Sequence, residues 1–501
     1  MTRLRLSALL ILLGCGAAKA PAPPTHAADS RPTPSATTSG AQLPPDPEPW
    51  RAQRPAAGRA SELHFPVPEQ ATLKNGLALL LVRKPVPVAS LSLVFRHGAS
   101  ACPPGKSGLA ALTARMLTEG TRKHPGVKLA EAVEQLGTTL DEDAGRDASS
   151  LSLSALTRDV PRAVELLGEI VTEPAFAPVD FARVQNEWLD GLRAERQAPE
   201  RLASLAALGT LLGKPHGSPV SGSLVDVRTL TIKDIVDFHQ RAYGAGDAAL
   251  IVVGDVELAK LRESAERAFA RLGKGESAIE QPFAPPAPVR GKRVLLIDRP
   301  GAVQSALMLA EPRPKRSEPG YERRDLLTTL FGGLFTSRLN LNLREEHAYT
   351  YGAHAQNAAT RHWGAFYIST SVRTDVTADA LKEALKELER LRDPSLGKPI
   401  RPEEVARARA DLVQSVGARL EYGARVGSTI SDLWLHGLPL DYFQKYPSLL
   451  AAETPATLAE AAKSIDIDRL VIVVVGDRAV IEKPLAALGY QVQAAPAELT
   501  E

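Results

Sequence analysis

Residues 108–121 read GLAALTARMLTEGT, and this stretch decides how the rest of the chain is interpreted. A short apolar run at 91–95 (LSLVF) precedes it and has the composition of a buried strand. The two segments are separated by Pro103, Pro104 and Gly105, which are turn-forming residues. The pattern therefore predicts a strand, a turn and a mostly apolar helix that packs inside a domain.

The turn contains Gly105-Lys106-Ser107, which suggests a phosphate-binding loop at first sight. Such a loop needs a glycine five residues before the Gly-Lys pair, and here that position is Ser100. Pro103 and Pro104 also lack the N–H groups with which the loop would bind phosphate. We therefore interpret the segment as a turn leading into a helix.

Composition gives broad limits on the class of protein. The chain has 501 residues, 44% of them apolar and 24% charged, with a net charge of only +2. This length predicts two to four domains, and the balanced charge gives no argument for nucleic-acid binding.

An internal repeat indicates how those domains are organised. The runs AALIVVGD and RLVIVVVGD end in Gly-Asp pairs at 254–255 and 476–477. They predict two homologous α/β-sandwich domains of α+β class, at 63–275 and 290–495, joined by a linker at 276–289. A helix is expected at 377–392, with Thr377 as its cap and leucines at 381, 385, 388 and 391 facing the core.

The N-terminus has the features of a targeting segment. Arg3 and Arg5 precede the apolar run LSALLILL, which is too short for a permanent membrane span. The junction LLGC, ending at Cys15, is typical of a lipoprotein signal in which the cysteine is lipidated. The alternative is an ordinary secretory signal with a chance cysteine.

The segment that follows, 16–62, is rich in Pro, Ala, Ser and Thr, which is typical of a disordered tether. Together these features predict a protein anchored to a membrane in the cell envelope, on the periplasmic side. Once Cys15 is lipidated, Cys102 is the only remaining thiol, so no disulfide can form within the mature chain.

With these limits set, residues 108–121 resemble the metal-binding helix of the insulinase/pitrilysin-type zinc peptidases, roughly G-L-A-H-x-x-E-H-x-x-x-x-G-T. In that family two histidines one turn apart bind zinc, and the glutamate activates a zinc-bound water. The flanks match here, but the three chemical positions are Ala111, Ala114 and Arg115. The family's third ligand corresponds to Glu187, for which a solvated helix glutamate is the alternative interpretation.

Residues 332–351, GGLFTSRLNLNLREEHAYTY, resemble the second signature of the same family. The resemblance implies that Arg344 and Tyr351 reach into the catalytic chamber, where they bind the substrate backbone and polarise the scissile carbonyl. A helix-end arginine and a core tyrosine are the alternative interpretation. His347 and His354 lack partners at metal-ligand spacing, and Trp363 and Phe366 alternate as core residues of a strand would.

In the two-subunit branch of the family, one subunit brings zinc and the other brings the Arg/Tyr pair. The resemblance therefore predicts a non-catalytic subunit with no metal or cofactor in this chain, and with zinc in a homologous HxxEH partner. The partner and this chain would enclose unfolded peptides. The alternative is a proteolytically inactive binding or scaffold lipoprotein with the same fold. A self-sufficient peptidase is disfavoured by Ala111, Ala114 and Arg115.

Overall fold

Two sheets with covering helices account for most of the chain. The computed structural model describes residues 48, 50, 64–276, 283–284, 286–287 and 291–497. Cys15, the predicted signal segment, almost all of the predicted tether and most of the predicted linker therefore lie outside the described residues. No described helix is long and apolar enough to cross a membrane.

The first sheet has the order β1-β2-β6-β3-β5-β4. Its strands are β1 Glu69–Thr72, β2 Ala78–Arg83, β3 Val88–Phe95, β4 Asp141–Ala144, β5 Ser149–Leu156 and β6 Ala248–Gly254. The helices of this half are α1 Leu109–Leu117, α2 Val127–Glu134, α3 Val160–Thr172, α4 Pro178–Glu195, α5 Pro199–Leu212, α6 Leu224–Thr229, α7 Ile232–Ala242 and α8 Leu258–Ala268.

The second sheet has the order β12-β7-β11-β8-β10-β9. Its strands are β7 Arg293–Asp298, β8 Gln304–Arg313, β9 Thr350–Ala359, β10 Gly364–Arg373, β11 Val471–Gly476 and β12 Gln491–Ala494. The helices are α9 Tyr321–Thr328, α10 Arg338–Asn340, α11 Thr377–Arg392, α12 Pro402–Ala418, α13 Gly423–Leu435, α14 Tyr442–Ala451, α15 Pro455–Ala462 and α16 Arg478–Ala487, with π-helical turns at Thr329–Gly333 and Leu341–Glu346.

The sheet order confirms the predicted fold class of two similar α+β domains. Each sheet has a central parallel pair, β2 with β6 or β7 with β11, followed by antiparallel strands in the same arrangement. The sheets differ at the first edge, where β1 is antiparallel to β2 and β12 is parallel to β7. The glycines of the two Gly-Asp pairs, Gly254 and Gly476, each end the central strand. A Cβ on either would collide with the neighbouring strand, at Ala89 or Ser305. Close strand approach therefore explains why this glycine appears in both halves.

One helix from each half of the chain packs on the sheet of the other half. Helix α5 packs on β8 and β11 of the second sheet, and α13 packs on β3 and β6 of the first. Against the second sheet, Leu202, Ala206 and Leu212 are buried with Met308 and Val473 in one apolar cluster. Each fully buried leucine contributes about 1.5–3 kcal/mol to the free energy of folding. The packing of α5 and α13 on the opposite sheets therefore holds the two halves together.

Helix α11 illustrates both a confirmed prediction and a wrong one. It spans the predicted residues, and the four predicted leucines are buried. The predicted cap is wrong, because Thr377 is the first helical residue. Its hydroxyl donates to the Thr374 carbonyl at 2.8 Å and also lies 2.8 Å from Ser305 Oγ.

Candidate functional site

The glycines that flank α1 are required by the backbone. Gly108 has φ of 86°, and a Cβ there would lie 2.8 Å from the Ser221 carbonyl oxygen. Gly120 has φ of 132°, and a Cβ there would collide with the backbone of Gly126. Only glycine readily tolerates both a positive φ and such a close approach of neighbouring backbone. The flanks of the motif are therefore structural and can persist without any metal.

The three chemical positions on α1 have no metal-binding capacity. Ala111 and Ala114 are buried and present only methyl groups. The Arg115 side chain is about one-third exposed, and its guanidinium is a donor without an accepting lone pair. A fixed positive charge at the second ligand position also repels a divalent cation. These residues do not fit zinc.

Arg115 instead forms ion pairs beside the edge strand β4. Its Nη2 lies 2.7 Å from Glu119 Oε1, just beyond the end of α1, and its Nε lies 3.8 Å from Glu142 Oε1 on β4. Burial raises the pKa of Glu142 above its usual value, although Arg115 acts in the opposite direction. The guanidinium thus neutralises carboxylates gathered at the end of α1.

Arg183 on α4 extends this cluster to Glu187. It donates to Glu119 and makes two hydrogen bonds to the Glu187 carboxylate, at 3.0 and 3.1 Å. The structure therefore connects Arg115 with Glu187 through Glu119 and Arg183, although Glu187 itself is 57% exposed. We call these four residues the α1–α4 ion cluster. Among the described residues no group of His, Cys, Asp or Glu is arranged to hold a metal ion.

The second signature forms the segment that leads into β9. Gly332 packs so closely on this strand that a Cβ would lie 2.5 Å from Ala355 Cβ. Asn340 connects the segment before β9 with the strand itself. Its Nδ2 donates to the Phe335 carbonyl at 2.6 Å, and its Oδ1 accepts from the Ala353 amide on β9 at 3.2 Å. These contacts fix the position of the residues that follow.

Arg338 and Asn342 have structural roles that the sequence did not reveal. Arg338 is 2% exposed and makes a paired contact with Glu404, at 2.9 and 2.8 Å. Asn342 Nδ2 donates to Glu383 and Glu387 on α11, both at 3.1 Å. In the sequence Arg338 looks like Arg344, and only its burial distinguishes the two.

Arg344 and Tyr351 are accessible. Arg344 is about one-third exposed, and its guanidinium carbon lies 4.1 Å from the ring centre of Phe335, itself 63% exposed. Tyr351 is the second residue of the edge strand β9 and is 91% exposed. The only ion pair of Arg344 within the described residues is with its neighbour Glu345, at 3.6 Å. The two side chains make no hydrogen bond or ring contact with each other in the described part of the chain.

The remaining candidates have ordinary environments. His347 stacks on Tyr349 with ring centres 5.0 Å apart, and its Nε2 lies 3.6 Å from Glu383. Trp363 and Phe366 are buried, which confirms the prediction of core packing.

The comparisons agree with this geometry. The family model described as "Insulinase (Peptidase family M16)" matches residues 78–218, and that described as "Peptidase M16 inactive domain" matches 229–412. An "Uncharacterized zinc protease" of Rickettsia felis is 25% identical over 343 residues, 68% of this chain and 81% of that protein. The "Non-peptidase homolog YmxG" of Helicobacter pylori is 23% identical over 365 residues, 72% of this chain and 82% of that protein.

A solved structure, the peptidase M16 inactive domain from Pseudomonas fluorescens, is similar with a TM-score of 0.75 and 26% identity. The match covers 82% of this chain and 98% of that one. Two similar domains with a degenerate metal-binding helix thus define an M16-type peptidase fold. The chain belongs to the insulinase (M16) peptidase family. Within it, this is a member that lacks the zinc-binding histidines and the general base.

Proposed function

We propose that this chain is the non-catalytic, substrate-binding subunit of a heteromeric zinc metalloendopeptidase in the cell envelope. Zinc and the general base would come from a homologous HxxEH partner. This chain would supply Arg344 and Tyr351 to the partner's active site. The observation that carries the proposal is the exposure of this pair on a chain whose own metal positions are Ala111, Ala114 and Arg115.

The exposure of Tyr351 supports a role in contact with another molecule. A tyrosine that packs in a core is buried, whereas this phenol is 91% exposed and stands on an edge strand. Phe335 and Arg344 lie in the segment just before it, and both are accessible. Exposed aromatic side chains together with arginine are typical of the centres of protein interfaces.

The chemistry of the pair suits peptide hydrolysis in a partner's site. The Arg344 guanidinium offers charged N–H donors and Tyr351 offers a phenolic O–H. Both can bind a carbonyl oxygen whose negative charge grows during attack by water. Removing one such donor typically reduces kcat about a hundredfold to a thousandfold. The partner's zinc would activate the water, which is a task that this chain's residues do not perform.

The test is turnover by a mixture of this chain and a purified HxxEH homologue from the same organism, measured on an unfolded fluorogenic peptide. We expect turnover to require both chains and to fall about a hundredfold or more in the Arg344→Ala or Tyr351→Phe variant. The matched controls are Arg267→Ala and Tyr422→Phe, which alter an exposed arginine and an exposed tyrosine elsewhere. These controls should keep full turnover.

A mixture that cleaves equally well with and without the two substitutions would refute the role of Arg344 and Tyr351. If the two chains associate but the mixture never cleaves more than the HxxEH homologue alone, the chain is the alternative, an inactive binding or scaffold lipoprotein. Association itself is measured by sedimentation of the mixture, so the two outcomes are distinguishable.

A further inference from the structure

A second cleft lies among the helices of the C-terminal half, away from the second signature. It has a volume of about 700 Å³ and is bounded by the start of α9, the end of α12, and the helices α13 and α14. Its walls carry an unusual combination of three arginines and three tyrosines: Arg316, Arg419, Arg425, Tyr321, Tyr442 and Tyr446.

Arg316 lies at the base of this cleft and is only 7% exposed. Its guanidinium carbon is 3.7 Å from the ring centre of Tyr321 and 5.0 Å from that of Tyr442. Among the described residues no carboxylate lies within 4.0 Å of this guanidinium, whereas the buried Arg338 is paired with Glu404. The Tyr442 hydroxyl and, at longer range, the Asp432 carboxylate stabilise this guanidinium, but neither gives it the close ion pair that offsets the cost of burying a charge.

The two arginines at the rim of the cleft also lack a close carboxylate. Arg419 follows α12, and its guanidinium carbon is 5.6 Å from the ring centre of Phe443. Arg425 lies on the first turn of α13, 5.6 Å from the ring centre of Tyr422. Both are exposed, and neither pairs with a carboxylate in the part of the chain that the structure describes. Three guanidinium groups therefore surround one cleft with their charge not matched by contact ion pairs.

The acidic groups near the cleft are occupied by other partners. Glu322 accepts a hydrogen bond from the Tyr442 hydroxyl at 2.7 Å, and Asp325 accepts from Tyr446 at 3.2 Å. Burial raises the pKa of Asp325, although the hydrogen bond from Tyr446 and the charges of Arg316 and Arg419 act in the opposite direction. Asp432 lies 3.3 Å from His436 Nε2. Asp325 and Asp432 also interact with Arg316 and Arg419, but among the described residues only at distances beyond 4.0 Å.

We propose that this cleft binds a small organic anion, a carboxylate or phosphate ester with a planar or apolar body. The guanidinium of Arg316 would bind the anionic group at the base, and Arg419 and Arg425 would add charge at the rim. Arginine suits carboxylate and phosphate because its N–H groups form a planar fork. The rings of Tyr321, Tyr442 and Phe443 would pack against the body of the ligand. This site is independent of the proposed peptidase partnership.

The test is calorimetric titration of the full chain with phenyl phosphate, which combines an anionic group with a ring, and with inorganic phosphate. We expect phenyl phosphate to bind saturably and more tightly than inorganic phosphate, because only the ester uses the tyrosine walls. Arg316→Gln should weaken binding about tenfold or more, since a charge-assisted hydrogen bond is lost. The matched control is Arg407→Gln, an exposed arginine on α12 outside the cleft.

Because Arg316 is buried, its variant can fail to fold, which circular dichroism would show. The double variant Arg419→Gln/Arg425→Gln changes only exposed residues and is used in that case. Its affinity for phenyl phosphate is expected to be about tenfold lower. The proposal is overturned if phenyl phosphate does not bind at millimolar concentration. It is also overturned if the cleft variants bind as well as Arg407→Gln does.

Discussion

The Arg115 guanidinium lies 2.7 Å from the Glu119 carboxylate, at the helix position where M16 peptidases carry their second zinc-binding histidine. Arg183 binds the same carboxylate from α4 and also holds Glu187. Two arginines thus supply the positive charge that faces Glu119 and Glu187. The α1–α4 ion cluster is therefore an ion-pair network at the positions where the resemblance to the family implies metal ligands.

This ion-pair network predicts what is needed to build a zinc site. The triple variant Ala111→His/Ala114→Glu/Arg115→His restores the motif, but Arg183 remains bound to Glu187. We expect the triple variant to bind zinc weakly, and the further substitution Arg183→Gln to increase affinity about tenfold or more by removing a nearby positive charge. Titration against a chromophoric chelator measures the affinity.

The matched control for that experiment adds Arg193→Gln to the triple variant. Arg193 also lies on α4 and pairs with an exposed aspartate, Asp190. Equal zinc affinity in the Arg183 and Arg193 variants would show that the ion cluster does not restrain Glu187.

The buried pair of Arg338 and Glu404 predicts a large stability effect in the second signature. Arg338→Ala should lower the free energy of unfolding by about 3–5 kcal/mol, because Glu404 is then left without its partner in a buried position. Arg401→Ala is the matched control, since Arg401 also lies 3.5 Å from Glu404 but is 66% exposed. Its loss should cost about 1 kcal/mol or less. Denaturant titration distinguishes the two, and equal losses would contradict the assignment of Arg338 as structural.

The same pair predicts a pH dependence. Burial opposes ionisation of Glu404, but hydrogen bonds from Arg338 and from the Arg401 amide outweigh it and lower the pKa of this carboxyl. A lowered pKa stabilises the folded state above the unfolded-state value, about 4.3 for glutamate. This stabilisation is lost as the pH falls through the folded-state pKa. The difference in unfolding free energy between wild type and Glu404→Gln should therefore be full at pH 7 and shrink below about pH 4. A difference that stays constant with pH would contradict this mechanism.

The two cysteines predict distinct behaviour in cells. If Cys15 is lipidated, the full chain partitions into detergent and Cys15→Ala moves it to the aqueous phase. Cys102→Ala is the control and should still partition into detergent.

Burial raises the pKa of Cys102 to about 12, so its thiol should react with a thiol reagent at pH 8 only after unfolding. For the first of these two predictions, a Cys15→Ala variant that still partitions into detergent would contradict lipidation at Cys15.

Much of the fold could be predicted because it depends on local patterns. The leucine spacing of α11 predicted both its limits and its buried face. The repeated Gly-Asp at the ends of β6 and β11 predicted two similar domains. The packing of α5 and α13 on the opposite sheets was not predictable, because an apolar helix face shows that it is buried without showing which sheet buries it.

Arg338 and Arg344 show the same limit within the site. They stand six residues apart in one signature, and both are arginines on helical segments. One is buried against Glu404, while the other rests on an exposed phenylalanine. Burial depends on residues more than fifty positions away, which the spacing of a motif does not record.

The sequence by itself determined that this chain cannot build the family's zinc centre, because methyl groups and a guanidinium cannot donate electron pairs to a metal. It also determined the two-domain fold through hydrophobic periodicity and repeated glycines. Only the tertiary structure decided which side chains contact Arg115 and Glu187, and which arginines line the cleft of the C-terminal half. The ion cluster joins α1 to α4, and Arg316, Arg419 and Arg425 line one cleft without a contact ion pair in the part of the chain that the structure describes. Both are set by distances between side chains that are far apart in the chain, and electrostatic interaction depends on those distances.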